Sequence, residues 1–471
     1  MDDLRRAGMV AADAAADYLG GIRRQRVWQP VAEDDRAWLT GQDLPIVGRS
    51  LDELVDDVRT RMLPYPMGNG HPRFFGWVNS PPSPAGVLVA PLAAALNPSC
   101  AGGEHAGVLL EYAVVRWLAD LLGYPHGPGG GLLTSGASMA TVVGLAAARQ
   151  RAGRQDGWDV REEGLWARPP MVIYVSAEGH SCLRKAAELL GLGTRHVRVV
   201  PVDGRFRMDV DALRALLAED VNAGLRPFCV AASAGTVNTG AIDPLDEIAD
   251  LAAEHGLWFH VDGAYGALGV VGNGAAADYA GMARADSLAL DPHKWLGVPV
   301  DCGCVLLRDP ASSRDAFSLV PAYLRDDSAS ELGWFSEYGP EQTRPFRALR
   351  TWATMSHLGR DGIVRLVDRT VGLGRTLAAM IEAADDFELL APVTTSIVAF
   401  RYRPGNRDGR LDELNRAIPA AVQQRGRAFF TGTRIAGKEA LRACFVNPAT
   451  TTEDLSILLD EIRAVAAEVA A

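Results

Sequence analysis

The feature that most constrains this chain is a series of short apolar runs, each closed by small residues. Met171-Val-Ile-Tyr-Val-Ser176, Phe228-Cys-Val-Ala-Ala-Ser233, Leu257-Trp-Phe-His-Val261 and Ser287-Leu-Ala-Leu290 all have strand length and are apolar on both faces. A strand can be apolar on both faces only if both are covered, as in a parallel sheet flanked by helices. Helical stretches near 138–150, 180–191, 209–219 and 244–255 fall between the runs, with Asp209 and Asp243 placed to cap two of them. Cys302-Gly-Cys-Val-Leu-Leu307 reads as one more buried strand. The alternation predicts an α/β fold built on a mostly parallel sheet covered by helices. Beyond about residue 360 the pattern changes to a helix near 362–384, a strand at Ser396–Tyr402, a helix near 411–425, a strand at Ala440–Val446 and a last helix near 452–470. That is a small α+β domain. The expected division is an N-terminal helical segment over 1–80, a large domain over 81–360 and a small C-terminal domain over 361–471.

Composition excludes several classes. Lys plus Arg is 47 and Asp plus Glu is 58, a net charge of −11, and no Lys/Arg-rich run is present. Such a chain has no electrostatic footprint for nucleic acid. No apolar run reaches the roughly 18 residues of a membrane span. The start, Met1-Asp-Asp-Leu-Arg-Arg6, lacks the apolar core of a signal peptide, so a cytoplasmic protein away from membranes is expected. The 6 cysteines are too sparse for a disulfide framework, and Cys302-x-Cys304 is not a zinc spacing, so structural thiols are expected.

Five segments at expected strand ends carry chemistry. In Asp291-Pro-His-Lys-Trp295 a lysine follows an apolar run, in surroundings that can make its amine nucleophilic, as an aldehyde-bonding lysine requires. In Phe259-His-Val-Asp262-Gly-Ala264-Tyr an acid ends a strand, where it could hold a metal, a ribose hydroxyl or a pyridinium nitrogen. No neighbouring His/Asp/Glu cluster supports the metal reading, so no metal is expected. Gly129-Gly-Gly-Leu-Leu-Thr-Ser-Gly-Ala-Ser138 runs into a helix and suits a phosphate cradle. It also imitates a serine-hydrolase elbow, with Ala140 in place of the last glycine. His180, at a helix start, and the turn Ser233–Ala241 complete the set. A phosphate cradle, a flat histidine ring, an acid and a lysine together fit an enzyme using pyridoxal 5′-phosphate (PLP).

In order and spacing these segments resemble the group II PLP-dependent amino-acid decarboxylases, such as the aromatic L-amino-acid decarboxylases. The likeness extends over nearly the whole chain. It includes His71-Pro-Arg-Phe-Phe-Gly-Trp77, Glu111-Tyr-Ala-Val-Val-Arg-Trp117, Arg347-Ala-Leu-Arg350 and Phe445-Val-Asn-Pro448. The resemblance implies the aspartate-aminotransferase type of fold (fold type I) and a homodimer with its active site at the subunit interface. It implies that Lys294 bonds the cofactor, that Asp262 pairs with the pyridinium nitrogen, and that His180 stacks on the ring. It further implies that Ala137, Ser138 and His293 hold the phosphate and that Thr236 and Ala264 line the ring. Tyr323, in Leu319-Val-Pro-Ala-Tyr323, matches the family's proton donor to Cα, which relatives acting as aldehyde synthases often replace with Phe. Together with His180 it points to amine formation.

The substrate is expected to be an L-amino acid, with aromatic ones favoured. Phe74, Trp77 and Ser99 are the candidate substrate residues. The stretch Asn97–Ala106 departs from the aromatic enzymes, which carry bulky residues there. A polar substrate such as glutamate, aspartate or diaminobutyrate is therefore a rival, for which Arg73 or Arg347 could supply a cation and Glu104 or His105 a polar contact. A decarboxylating aldehyde synthase and a catalytically silent binding protein are further alternatives.

Overall fold

In the computed structural model, which describes residues 1–127, 129–319, 333–405 and 410–469, the apolar runs are strands of one sheet. Its members are β1 (Gly131–Thr134), β2 (Met171–Ser176), β3 (Val197–Val200), β4 (Arg226–Ser233), β5 (Trp258–Asp262), β6 (Ser287–Leu290) and β7 (Gly303–Leu307). Their order is β1-β7-β6-β5-β4-β2-β3. Only β7 runs against its neighbours, pairing antiparallel with β1 and β6, while the remaining pairs are parallel. β1, β2, β5, β6 and β7 are buried along their whole length, as their two apolar faces require.

The chain divides into two compact units. The larger holds residues 82–374 and 391–397, and the smaller holds 1–81, 375–390 and 398–471. The smaller unit starts with α1 (Asp2–Gly21), α2 (Glu33–Thr40) and α3 (Leu51–Asp57). The larger contains the seven-stranded sheet with α4 (Pro84–Leu96), α5 (Ala106–Leu122), α6 (Ala137–Gln155), α7 (Val160–Glu163), α8 (Ser181–Leu189), α9 (Val210–Asn222), α10 (Leu245–Glu254) and α11 (Pro310–Phe317). Helix α12 (Arg347–Glu382) is interrupted at Gly359, whose φ of 61° is not helical. A four-stranded sheet of order β10-β11-β9-β8 follows, made of β8 (Phe387–Leu389), β9 (Ile397–Tyr402), β10 (Thr431–Ile435) and β11 (Lys438–Cys444). Helices α13 (Leu411–Arg425) and α14 (Thr452–Val469) complete the chain. Among the described residues no helix is long and apolar enough to cross a membrane.

Two glycines bring α6 onto the sheet. A Cβ at Gly144 would lie 2.8 Å from Ser287 Oγ and 3.1 Å from His260 Nδ1. A Cβ at Gly303 would lie 2.4 Å from Gly136 Cα, so only glycine lets β7 pass beneath the start of α6. Asp209 caps α9 as expected, accepting from the Ala212 N–H. Asp243 does not cap α10, whose N-cap is Pro244. Its buried carboxylate accepts instead from Met208 N and Ser233 N, both at 2.7 Å. Burial pushes its pKa up to about 6.

One buried ion pair joins α5, β1 and the chain ahead of α12. Arg344 donates to Glu111 Oε1 at 2.5 Å, to the Leu133 carbonyl at 2.5 Å and to the Cys100 carbonyl at 2.8 Å. Glu111 Oε1 also accepts from Leu133 N at 2.9 Å. Both side chains are 1% exposed. Removing one partner leaves the other charge buried and unanswered. Arg344→Met is therefore expected to cost about 3–5 kcal/mol in urea unfolding, and Arg344→Met/Glu111→Leu to recover much of it. A single variant as stable as the parent would contradict this assignment.

Candidate active site

Because β2, β4, β5 and β6 are parallel, Ser176, Ser233, Asp262 and Leu290 all end at one edge of the sheet. β1 runs the same way, being antiparallel to β7, and so delivers the start of α6 to that edge. Carboxyl-end crevices of such sheets are where ligands bind.

The segment after β6 folds back on the start of α6. Asp291 Oδ1 accepts from Ala137 N at 2.6 Å, and Asp291 Oδ2 lies 3.0 Å from Lys294 Nζ. The sequence reading set Lys294 in apolar surroundings, whereas the structure gives its ammonium a buried carboxylate partner. The Asp291 N–H donates to the Ala264 carbonyl at 3.1 Å, joining this loop to the end of β5. His293 Nδ1 lies 2.8 Å from the Cys302 carbonyl oxygen and 3.2 Å from the Cys302 backbone N. A Cβ at Gly136 would lie 3.6 Å from both Asp291 Oδ1 and His293 Cε1, so both walls of the cradle are in place. Ser138 is exposed at its mouth. The chain has only three lysines, Lys185, Lys294 and Lys438, and Lys294 alone is in this group.

At the end of β5, Asp262 Oδ1 accepts from Ala264 N at 3.1 Å and Oδ2 from the Cys182 thiol at 3.7 Å. His180 is the N-cap of α8, with Nδ1 accepting from Cys182 N at 3.2 Å, which puts its ring hydrogen on Nε2. One ligand atom each from His180, Cys182 and Asp262 lies within 4.8 Å of the others. The sequence reading found no partners for Asp262, because it did not foresee that the α8 cap would bring two. Burial and Asp262 push the Cys182 thiol up to about 12, so it stays a hydrogen-bond donor to the carboxylate. With His180 Nδ1 also used, the trio is a hydrogen-bonded set rather than three open metal ligands. His180 keeps an exposed edge, yet the atoms packed around its ring lower its pKa, opposed by the charge of Asp262.

The other candidates have varied placements. Thr236 is buried, its hydroxyl 3.0 Å from Thr239 Oγ1 and accepting from Ala241 N at 3.1 Å, so it closes the turn after β4. His260 is fully buried, its Nδ1 2.7 Å from Ser287 Oγ. Ser99 is an exposed residue after α4 whose carbonyl meets His105 Nε2 at 3.2 Å. His105 Nδ1 caps α5 through Gly107 N. Phe74 and Trp77 are in the smaller unit. Phe74 is buried there and stacks on Phe429 at 4.7 Å, while Trp77, half exposed, meets Phe429 at 5.4 Å. Arg73 is bound to Asp454 and the Arg427 carbonyl. In the larger unit Arg347 is buried against Asp301 and Glu341. Tyr323 lies outside the described residues.

A family model described as "Pyridoxal-dependent decarboxylase conserved domain" matches residues 34–403. The chain belongs to this family. It is 32% identical to the aromatic-L-amino-acid decarboxylase of Bacillus atrophaeus, over 99% of this chain and 96% of that one. It is 30% identical to the phenylacetaldehyde synthase of Arabidopsis thaliana, over 95% and 93% of the two chains. The crystal structure of Oryza sativa TDC with PLP and tryptamine superimposes with a TM-score of 0.92 at 25% identity, covering 100% and 98%. The protein is thus a PLP-dependent carboxy-lyase of fold type I. The crevice suits this cofactor by its donor set, with the first N–H of α6 holding the Asp291 carboxylate, the Lys294 amine beside it, and the Asp262 carboxylate at the end of β5.

His180 should titrate below the ordinary histidine value of 6.5, and Asp262→Asn should lower the midpoint further, since the lost charge is what raises it. Histidine NMR titration of both proteins checks this. A midpoint above 6.5, or a rise in the variant, would contradict the geometry described.

Proposed function

We propose that this enzyme converts an L-amino acid, with aromatic ones favoured, to the amine and carbon dioxide. The observation that carries the proposal is the gathering of the α6 start, Lys294, His180 and Asp262 at one sheet edge. When bound, PLP accepts the electron pair released as the Cα–carboxylate bond breaks. Ala137, Ser138 and His293 hold its phosphate, and Lys294 is the amine that bonds its aldehyde. Asp262 holds a proton at the ring nitrogen, with its other acceptor sites taken by Ala264 N–H and the Cys182 thiol. His180, its pKa lowered by burial, would stack on the ring and position the substrate, and Thr236 and Ala264 would line it. Tyr323 delivers the proton to Cα. Orienting the scissile bond and fixing these charges can each lower the barrier by several kcal/mol.

Two observations favour an aromatic over an acidic substrate. Arg73 and Arg347, the cations that could read a second carboxylate, are each already paired with acids. His105, a candidate polar contact, serves as a helix cap. Phe74, Trp77 and Ser99 remain the proposed substrate residues. A homodimer with a shared active site is part of the proposal. Its support is α4, which leaves Leu88, Leu92 and Leu96 on one face 77%, 59% and 67% exposed, an apolar strip that an isolated chain seldom leaves bare. The kinship with a phenylacetaldehyde synthase makes an aldehyde the competing product.

Mass spectrometry of the PLP-loaded enzyme, incubated in air with a panel of amino acids, tests the proposal. An amine from tyrosine, DOPA or tryptophan supports it. An amine from glutamate or aspartate alone, or an aldehyde with hydrogen peroxide, overturns it. Lys294→Ala should lose the cofactor's bonded absorption band and at least roughly a thousandfold in turnover. Tyr323→Phe should shift product from amine toward aldehyde in the presence of dioxygen, and an unchanged product would remove Tyr323 from the mechanism.

A further inference from the structure

An anion stands where an anion is to be bound. Asp291, its side chain 5% exposed, accepts the first N–H of α6 at 2.6 Å and holds the Lys294 ammonium at 3.0 Å. Helix α6 is long enough to present a real N-terminal field, and Gly136, its N-cap, supplies no side-chain acceptor. Asp291 is therefore the acceptor that this end of the helix uses. If the crevice is the PLP site, as proposed above, a phosphate dianion must share the N–H of Ala137 with a carboxylate. Lys294, the cation that balances Asp291, must meanwhile turn to the cofactor.

The groups around Asp291 leave little to replace that balance. Lys294 and His293 come from its own loop, His293 Nδ1 being 3.8 Å away. Across the crevice stand His180 and Asp262. From β7 and the residue before it come the protonated thiols of Cys304 and Cys302, with Arg347 and Arg350 of α12 near Cys302. Arg347 and Arg350 are both paired with Asp301. His180 tends to be neutral, and Asp262 adds negative charge.

We propose that the cofactor's phosphate enters together with a proton that settles on Asp291, so that loading of this enzyme is proton-linked through that residue. The proton turns Asp291 from a rival acceptor into a donor toward a phosphate oxygen. No bond other than O–H is made, and the proton comes from solvent. The consequence is that affinity for the phosphate ester falls as pH rises, because the bound state carries one more proton than the free one.

The probe is pyridoxal 5′-phosphate, whose aldehyde takes Lys294 away from Asp291. Titration calorimetry in two buffers of different ionisation enthalpy counts the protons taken up by the apoenzyme between pH 7 and 9, where the ester is mostly dianionic. Wild type should take up close to one proton per site more than Asp291→Asn. Its affinity should fall about tenfold per pH unit more steeply than the variant's. Asparagine can still accept from Ala137 N–H, and circular dichroism checks that the variant folds. Should it not fold, the comparison is made within the wild type, where phosphate-free pyridoxal should bind without the extra proton. Equal uptake and equal slopes, with tight binding retained, would overturn the linkage and leave the site intact. Failure of folded wild-type protein to bind the ester at all would overturn the site reading, and the linkage with it.

Discussion

Asp291 ties the loop that carries Lys294 to two parts of the larger unit that lie far from it in sequence or on another strand. Its carboxylate grips the first N–H of α6 and holds the Lys294 ammonium, and its backbone N–H fastens the loop to Ala264 after β5. That convergence is possible only because Gly303 lets β7 pass under Gly136. Helix start, lysine and acid-bearing strand are thereby set at one sheet edge. Preorganisation of this kind is what a PLP enzyme needs from its protein, because the electron chemistry belongs to the cofactor.

Much of this was legible in the sequence. The doubly apolar runs gave β2, β4, β5, β6 and β7, and the motif Asp291–Trp295 identified the lysine. What was missed has physical reasons. β1, Gly131-Leu-Leu-Thr134, is hidden in glycines that read as loop, and β3 has only Val200 buried, so it lacks the doubly apolar pattern. The β10–β11 hairpin turns on Ala436 and Gly437, with φ of 47° and 80°, where the residue that usually advertises such a turn is Asn or Asp. Asp243 had the spacing of a cap, but tertiary contacts with Met208 and Ser233 claimed it. Cys182 near Asp262 was invisible because 80 residues separate them.

The charges also narrow the chemistry. Arg344 is committed to Glu111, Arg347 to Asp301 and Glu341, and Arg73 to Asp454. A buried arginine that already has its carboxylate is a structural element and offers little to a second one. The motif arginines that suggest an acidic substrate in the sequence are thus answered by the chain's own acids. The neighbourhood of Asp262 is different, since its partners there are a backbone N–H and a thiol that burial keeps protonated, and neither cancels its charge.

The most direct test of the account is to reduce the PLP-loaded enzyme with borohydride and map the modified peptide by mass spectrometry. The lysines are Lys185, Lys294 and Lys438, and of these Lys294 alone stands in the crevice, beside Asp291. The account predicts the pyridoxyl mass on the peptide that contains Lys294, at one per chain. The label on Lys185 or Lys438, or no label on protein that binds PLP, would contradict it.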